Sequence, residues 1–208
     1  MALRLNGSSS GYVELEVPAA AGSHTLTLPD GGGSSGQYLQ TNGSGTLSWQ
    51  TVPNNGFESY AIIGDQKTAG TDGGTFTSGD WRTRDLNTEF ADPDGIVSIS
   101  SNQFTLQAGT YKIEWRAPAV GVNHNQSRLY NTTDASVDGL GSSMYAYNSG
   151  SFITGTFFSM GSVRITITAA KTFEIQHRCG NTQTTNGFGI GPSYTNEIYT
   201  VVNIYKEV

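Results

Sequence analysis

Polar and apolar residues alternate along most of this chain with the two-residue period of a β-strand. In "QAGTYKIEWRA" the alternation places Tyr111, Ile113 and Trp115 on one face and the charged residues between them on the other. No segment sustains apolar residues at positions i, i+3, i+4 and i+7 over three turns. The pattern therefore predicts an all-β protein.

From about Phe57 onward, strand-like runs are frequent and rich in apolar residues, and turn signals separate them. This spacing is typical of two packed sheets. The predicted strands cover residues 60–66, 96–99, 104–106, 110–117, 127–131, 144–147, 152–158, 163–168, 172–179 and 197–205. We therefore expect residues 53–208 to form one β-sandwich domain.

Residues 1–52 differ, because they contain only short alternating pieces such as "YVELEV" and "TLTL" between Gly/Ser tracts. The stretch "GQYLQTNGSGTLSWQTV" predicts a hairpin that turns at Asn42 and Gly43, two residues that tolerate positive φ. An isolated hairpin is marginally stable in water. Residues 1–52 are therefore either disordered or covered by another chain.

The last predicted strand, "EIYTVVNIYKEV", is bulky on both faces. Strict alternation divides its large residues into two sets, Ile198, Val202 and Ile204 on one face and Tyr199, Val201 and Tyr205 on the other. A strand that is apolar on both sides is covered on both sides. We expect the core to cover the first set, and a neighbouring subunit, or else a loop, to cover the second.

Two parts of the sequence resemble known proteins. The order "SSNQFTLQAGTYKIEWRAPA", "VRITITAAKTFEIQHRCG" and a two-faced closing strand is similar to the trimeric jelly roll of the tumour-necrosis-factor and complement-globular-head superfamily. The leading tract, from "LRLNGSSSGYVELEV" to "SWQTV", looks like the shaft that precedes such heads in virion fibre proteins of marine bacteriophages, cyanophages in particular. The resemblance implies a short intertwined trimeric β shaft at 1–52 followed by a jelly-roll head at 53–208.

In such a homotrimer, three copies of the shaft bury apolar faces that one copy leaves bare, with Gly and Ser where chains cross closely. The residues predicted at trimer interfaces are Trp49, Tyr199, Val201 and Tyr205. The fibres that the chain resembles usually carry a long amino-terminal part that docks on the tail, whereas about fifty residues precede the head here. We therefore expect the docking element to be missing, very short or supplied by another protein, and contacts with other virion proteins to be made through the amino-terminal region.

Composition restricts the possible partners. The formal net charge is −6, and no Lys/Arg cluster occurs, which argues against nucleic-acid binding. No apolar run approaches the roughly 20 residues of a membrane span, so we expect no membrane insertion. Charged residues make up only 13% of the chain, and the surface is expected to be rich in hydroxyls and amides, as on carbohydrate-binding proteins and on inert β scaffolds.

Sequence signals for catalysis and metal binding are weak. His177 and Cys179 have i, i+2 spacing without a second pair, so we expect a packed histidine and a free buried thiol, with no metal or cofactor. The carboxylates between Asp85 and Asp94 could supply a glycosidase pair, but "DPDG" is also a turn sequence. No catalytic residue is predicted, and calcium held by turn oxygens stays an alternative.

Two regions are candidates for ligand binding. In "GDWRTRDLN", Trp81 with Arg82 and Arg84 could form a sugar-stacking platform, although packing of Trp81 and pairing of the arginines with Asp80 or Asp85 is the favoured interpretation. The jelly-roll resemblance places loops 119–126, 148–161 and 181–196 at the end opposite the termini, where loops carry binding. The candidate ligand-binding residues there are Asn123, His124, Asn125, Asn181, Gln183, Thr184 and Tyr194.

The sequence thus predicts a homotrimeric phage virion (tail) fibre, assembled in the host cytoplasm, whose head binds a host surface polysaccharide or lipopolysaccharide. Two alternatives stay open. One is a capsid-decorating virion trimer without a receptor, and the other is a depolymerase that cuts the glycan it binds.

Overall fold

The computed structural model describes residues 3–15, 18–20, 22–52, 57–147 and 155–207. All regular secondary-structure elements within these ranges are β-strands, which confirms the all-β prediction. None of the described residues belongs to a helix that could cross a membrane. By its internal contacts the chain divides into two units, Met1–Pro53 and Asn54–Val208.

The first unit contains two antiparallel strand pairs, formed by β1 (Leu3–Asn6) with β2 (Tyr12–Leu15) and by β3 (Gln37–Thr41) with β4 (Leu47–Thr51). The second pair is the predicted hairpin. Asn42 begins its loop, and the Asn42 Oδ1 atom accepts hydrogen bonds from the backbone N–H groups of Ser44 and Thr46.

Apolar side chains of the first unit lie on its surface. Among the described residues of this unit, none belongs to the buried core. The exposed apolar side chains are those of Leu3, Leu5, Tyr12, Leu15, Leu26, Leu28, Tyr38, Leu39 and Val52. Trp49 is half-buried against Gly33, and its Nε1 donates to the carbonyl of Gly31 at 2.6 Å. The absence of a core, expected from the sequence, is therefore observed in the described part of this unit.

The second unit carries the remaining strands. They are β5 (Phe57–Lys67), β6 (Arg82–Thr83), β7 (Thr88–Ala91), β8 (Val97–Ser100), β9 (Gln103–Leu106), β10 (Gly109–Val120), β11 (Asn123–Asn131), β12 (Ser136–Leu140), β13 (Met144–Ala146), β14 (Thr156–Ile167), β15 (Lys171–Cys179) and β16 (Glu197–Glu207).

These strands form two sheets. The five-stranded sheet has the order β14-β10-β16-β5-β7, and the other has the order β12-β11-β15-β9-β8, with β13 on β11 and β6 on β15. Among the eight principal strands, the first pairs with the last (β5 with β16), the second with the seventh (β9 with β15), the third with the sixth (β10 with β14) and the fourth with the fifth (β11 with β12). This nested antiparallel pairing is that of a jelly roll.

The core fills the space between the two sheets. The five-stranded sheet contributes Ile113, Trp115 and Val202, and the opposite sheet contributes Phe104 and Phe173. The predicted inward face of β10 is therefore confirmed. A smaller apolar cluster lies at one end of the sandwich and contains Phe76, Ala119, Val122, Ala146, Cys179, Phe157 and Phe188.

Strand β14 is longer than predicted. The sequence predicts separate strands at 152–158 and 163–168 and a far-end loop at 148–161, but residues 156–167 belong to one continuous strand. Gly161 lies opposite Trp115 in the register, and a Cβ atom built on Gly161 would overlap the indole ring. The glycine is required for packing and does not mark a turn.

A β-bulge in β16 corrects the predicted division of its two faces. Ile198 pairs with Gln66 and Val201 pairs with Gly64, so two residues of β16 face only Asp65. The extra residue reverses the alternation, and the side chain of Ile198 is 50% exposed instead of lying in the core with Val202.

The sandwich has two distinct ends. Phe57 pairs with Glu207, so β5 begins where β16 finishes, and we call this end the near end. Lys67 pairs with Glu197 and Val120 with Thr156 at the opposite end, which we call the far end. The segment between β15 and β16 and the turn between β10 and β11 both lie at the far end.

Candidate functional site

A pocket of about 650 Å³ opens on the outer face of the seven-stranded sheet, towards the far end. We call it the Trp81 pocket. The residues that line it include Trp81, His124, Gln126, Ser143, Met144 and Arg178. The lining combines an indole, an imidazole, an amide, a hydroxyl, a thioether and a guanidinium. It therefore offers ring faces and hydrogen-bonding groups within one cleft.

Strand register assembles the pocket from separate parts of the sequence. Gln126 on β11 pairs with Arg178 on β15, and both side chains point outward because their neighbours point into the sandwich. Met144 on β13 pairs with the other side of β11. The guanidinium of Arg178 donates to the carbonyl of Gly79 at 3.3 Å, which attaches the loop before Trp81 to the sheet.

A stacked arrangement holds Trp81 in place. The guanidinium carbon of Arg128 lies 4.0 Å from the centroid of the Trp81 ring and 5.0 Å from that of Tyr130. Arg128 Nε also donates to Gln176 at 2.7 Å. Cation–π contacts and this hydrogen bond fix Arg128 between the two rings, so the indole has a defined orientation at the pocket.

An exposed aromatic row continues from the pocket along β13. The rings of His124 and Tyr145 meet edge to face with centroids 4.7 Å apart, and Tyr147 follows at 6.3 Å from Tyr145. Both tyrosines are nearly half exposed. Sequence analysis missed them as binding candidates, although two tyrosines alternating in "MYAY" are a signal of an exposed aromatic strand face.

The floor of the pocket is buried. Asn125 is 5% exposed, its Nδ2 donates to the carbonyl of Asn123, and its Oδ1 accepts from His177 Nε2 at 3.1 Å. Since Nε2 carries the proton, His177 Nδ1 is an acceptor, and it has no partner within the described part of the chain. Burial lowers the pKa of His177 well below its ordinary value, and the positive charge of Arg84 acts in the same direction.

As the sequence predicts, Cys179 is a free buried thiol and His177 is a packed histidine. Burial raises the pKa of Cys179 to about 11, so the thiol stays protonated, and its Sγ donates to the carbonyl of Asn181 at 3.2 Å. Within the described ranges, no group of three or more His, Cys, Asp or Glu side chains is placed to hold a metal ion.

The predicted ligand-binding residues divide into groups. Asn123, His124 and Asn125 were expected in a loop, but they form the start of strand β11, because the turn after β10 occupies only residues 121–122. His124 lines the pocket with an outward side chain, whereas the side chain of Asn125 is buried. Asn181 lies beside them, since its N–H donates to the carbonyl of Val122 at 3.0 Å.

The other predicted residues lie outside the lining of this pocket. Gln183 forms a β-bridge with Phe76, and Thr184 accepts a backbone hydrogen bond from Asn186. Tyr194 is 89% exposed. A ligand-binding role for Gln183, Thr184 and Tyr194 stays a prediction.

The arginines of "GDWRTRDLN" do not form a platform with Trp81, and the favoured pairing with Asp80 or Asp85 is wrong as well, because both arginines donate to carbonyl or hydroxyl oxygens while Lys67 pairs with Asp85. Arg84 is fully buried, and Arg82 Nε donates to the carbonyl of Thr77 at 3.2 Å. Trp81 itself is half-buried at the pocket. The tryptophan is therefore available for stacking, while its partner guanidinium comes from Arg128 on another strand.

The outer face of the five-stranded sheet is a second surface of interest. Apolar side chains there include Tyr60, Ile62, Phe158, Met160, Val201 and Tyr205, and Phe57 stacks on Tyr205 with centroids 4.5 Å apart. A shallow pocket of about 420 Å³ opens on this face beside Val201. Tyr199 is different: it is 5% exposed, and its hydroxyl donates to the carbonyl of Thr71 at 2.6 Å, so its own chain already covers it.

Comparisons with known proteins return structural likeness only. Neither a family model nor a curated protein sequence matches the chain. Among solved structures, the globular domain of the zebrafish complement 1qA protein is similar at 14% identity and a TM-score of 0.45, covering 72% of this chain and 97% of that one. Murine APRIL at pH 8.0 is similar at 6% identity and a TM-score of 0.45, covering 71% of this chain and 98% of that one. The jelly-roll assignment rests on the strand pairing described above.

Proposed function

We propose that this chain is the subunit of a homotrimeric bacteriophage virion fibre, and that its sandwich unit adsorbs to a host surface glycan through the Trp81 pocket. The observation that carries the proposal is the pocket itself. Trp81, His124 and Tyr145 offer ring faces for stacking on sugar rings, beside hydrogen-bonding groups of Gln126 and Arg178.

The lining chemistry favours binding over glycan cleavage. Glycoside hydrolysis uses two carboxyl groups that flank the scissile bond at roughly 5–9.5 Å from one another. The described residues that line the Trp81 pocket include no Asp and no Glu. A shallow site without a carboxylate pair is suited to adhesion, and three copies on one particle strengthen a weak contact by avidity.

The shaft and fibre parts of the proposal are supported by the first unit. Its exposed leucines and tyrosines, together with the absence of a core in its described residues, require additional apolar cover in water. Two further copies of the same chain supply that cover in an intertwined trimer. The leading tract also resembles the shafts of marine phage fibres, which favours a virion over other settings.

Adsorption of the labelled full-length protein to marine bacteria and cyanobacteria tests the proposal. Trp81→Ala and Tyr145→Ala should each reduce adsorption at least tenfold, because stacking losses are multiplied across the three sites. Val137→Ser on β12, an exposed position of the same sheet outside the pocket, should adsorb like wild type.

Tyr194→Ala distinguishes the Trp81 pocket from the far-end segment. A loss of adsorption in Tyr194→Ala with full adsorption in Trp81→Ala would move the site to residues 181–196. If the wild-type protein adsorbs to no strain, and immunogold labelling places it on the capsid, the decorating role is correct and the adsorption proposal is wrong.

A further inference from the structure

Positive charge in the Trp81 pocket contrasts with the acidic chain around it. The whole chain has a formal net charge of −6, yet the charged side chain in the described lining is the guanidinium of Arg178. We propose that the pocket selects a sugar that bears an oxyanion, a uronic acid or a sulfated sugar, with Arg178 as the anion-binding group. This inference rests on the proposed function and names the class of its ligand.

Arg178 lacks the carboxylate partner that most cationic side chains of this protein have. Ion pairs with Asp or Glu engage Arg4, Lys67, Lys112, Arg164, Lys171 and Lys206. Within the described ranges, no carboxylate lies within 4.0 Å of Arg178, whose one side-chain hydrogen bond goes to the carbonyl of Gly79. Its planar group carries five N–H donors, so this contact leaves most of its hydrogen-bonding capacity unused.

Two acidic side chains close enough to act on the neighbouring Arg128 already accept hydrogen bonds. Asp80 Oδ1 accepts from the backbone N–H of Trp81 at 2.7 Å. Glu174 is buried and accepts from Gln103 and Gln176. The negative charges of both acids act on Arg128, the cation stacked on the indole ring. The exposed cation at the pocket without a counter-ion is Arg178.

The geometry around Arg178 suits a charged sugar ring. Gln126 is directly opposite Arg178 in the register, and Trp81 lines the same cleft. A ring stacked on an aromatic side chain presents its exocyclic group at the edge of the stack. A guanidinium binds a carboxylate or sulfate through two parallel hydrogen bonds, which are stronger than those between neutral groups.

Matched oligosaccharides test the inference on the full-length protein. The probes are oligosaccharides of galacturonate, glucuronate and sialate, the carboxyl-reduced form of each, and sulfated galactan oligosaccharides with their desulfated forms. We expect at least tenfold tighter binding to an anionic member than to its neutral counterpart by isothermal titration calorimetry. Comparison of the uronate probes with the sulfated probes identifies which oxyanion the pocket binds.

Substitutions assign the preference to one side chain. The affinity of Arg178→Gln for the anionic oligosaccharide should fall to its affinity for the neutral counterpart. Arg178→Lys should keep part of the preference for the anionic member. Arg164→Gln is the matched control, because Arg164 is an exposed arginine on the other sheet, paired with Glu207. The affinity of Arg164→Gln for the anionic oligosaccharide should equal that of the wild-type protein.

Three outcomes are distinguishable. Equal affinity of the wild-type protein for anionic and neutral members overturns the inference and leaves glycan binding intact. An anion preference that persists in Arg178→Gln also overturns it. Binding to no member of any pair also overturns the inference, whereas adsorption of the labelled protein to cells decides the proposed function separately.

Discussion

His177 is the buried residue whose protonation has the clearest consequence for stability. In the folded protein its pKa is lowered by burial and by the charge of Arg84. Between that lowered pKa and the ordinary value near 6.5, the unfolded chain binds a proton that the folded chain does not. The contribution of neutral His177 to the free energy of unfolding is therefore complete above about pH 7, and it declines as the pH falls.

We expect the free energy of unfolding to fall between pH 7 and pH 5, with a slope of up to about 1.4 kcal/mol per pH unit from this group. Urea denaturation at fixed protein concentration measures the slope. His177→Gln should flatten it, whatever its effect on stability at pH 8. An unchanged slope in His177→Gln would contradict the assignment.

Arg84 links three elements at the far end of the sandwich. Its guanidinium donates to Thr200 Oγ1 at 2.8 Å in the bulge of β16, to the carbonyl of Pro118 at 3.2 Å in β10 and to the carbonyl of Phe188 at 3.0 Å in the segment between β15 and β16. The Phe188 ring also covers the guanidinium at 4.0 Å. One buried side chain thus fastens a long irregular segment to two strands.

Arg84→Met should lower the free energy of unfolding by about 3–5 kcal/mol, because it leaves buried acceptors without donors. Hydrogen exchange should accelerate first at the amide of Phe188, which is bonded to the carbonyl of Gly74 at 3.1 Å. Arg82→Met removes a half-exposed arginine with a single carbonyl contact and should leave that amide protected. Unchanged protection at Phe188 in Arg84→Met would show that the segment is held by other contacts.

Strands with an undisturbed two-residue alternation of polar and apolar residues are predicted correctly from the sequence. Features of a strand that depend on a residue of a neighbouring strand are not. Strand β10 was predicted with the correct faces because its alternation is strict. The bulge in β16 was not predicted, because large residues occupy both faces of this strand in the sequence. The bulge depends on the close approach of Gly64 to the Thr200 carbonyl. The break predicted within β14 was wrong, because only the structure reveals the indole above Gly161.

The candidate site was harder to predict than the fold. Its lining comes from four separate segments, around residues 79–81, 124–126, 143–144 and 178–180, which the register of β11, β13 and β15 brings together. His124 and Trp81 were both identified in the sequence, but as parts of different regions. Their shared cleft is a property of strand pairing, and no local pattern contains it.

The outer face of the five-stranded sheet, which carries Val201 and Tyr205 beside charged residues such as Arg116, makes assembly of the whole molecule testable. Val201→Asp places a charge in the middle of this face, beside Met160 in the adjoining pocket. If the face is the trimer interface, three carboxylates would be buried together, which costs several kcal/mol per ion. Sedimentation velocity should show a trimer for wild type and a monomer or unfolded chain for Val201→Asp.

Val137→Asp, at an exposed position of the other sheet, is the control and should remain a trimer. A wild-type protein that sediments as a folded monomer would exclude the trimer, and a trimeric Val201→Asp would move the interface away from this face.

The pairing of β5 with β16 also has a mechanical consequence. In the proposed fibre, a cell held at the Trp81 pocket would place the sandwich under tension between the far end and Phe57 at the near end, where the chain enters the sandwich. A pull on Phe57 along the strand axis would load β5 lengthwise. The hydrogen bonds to β16, from Lys67 down to Phe57, therefore share the load in shear instead of opening one after another like a zipper. The strand order thus places β5 inside the sheet, between β16 and β7, where hydrogen bonds along both of its edges oppose its extraction.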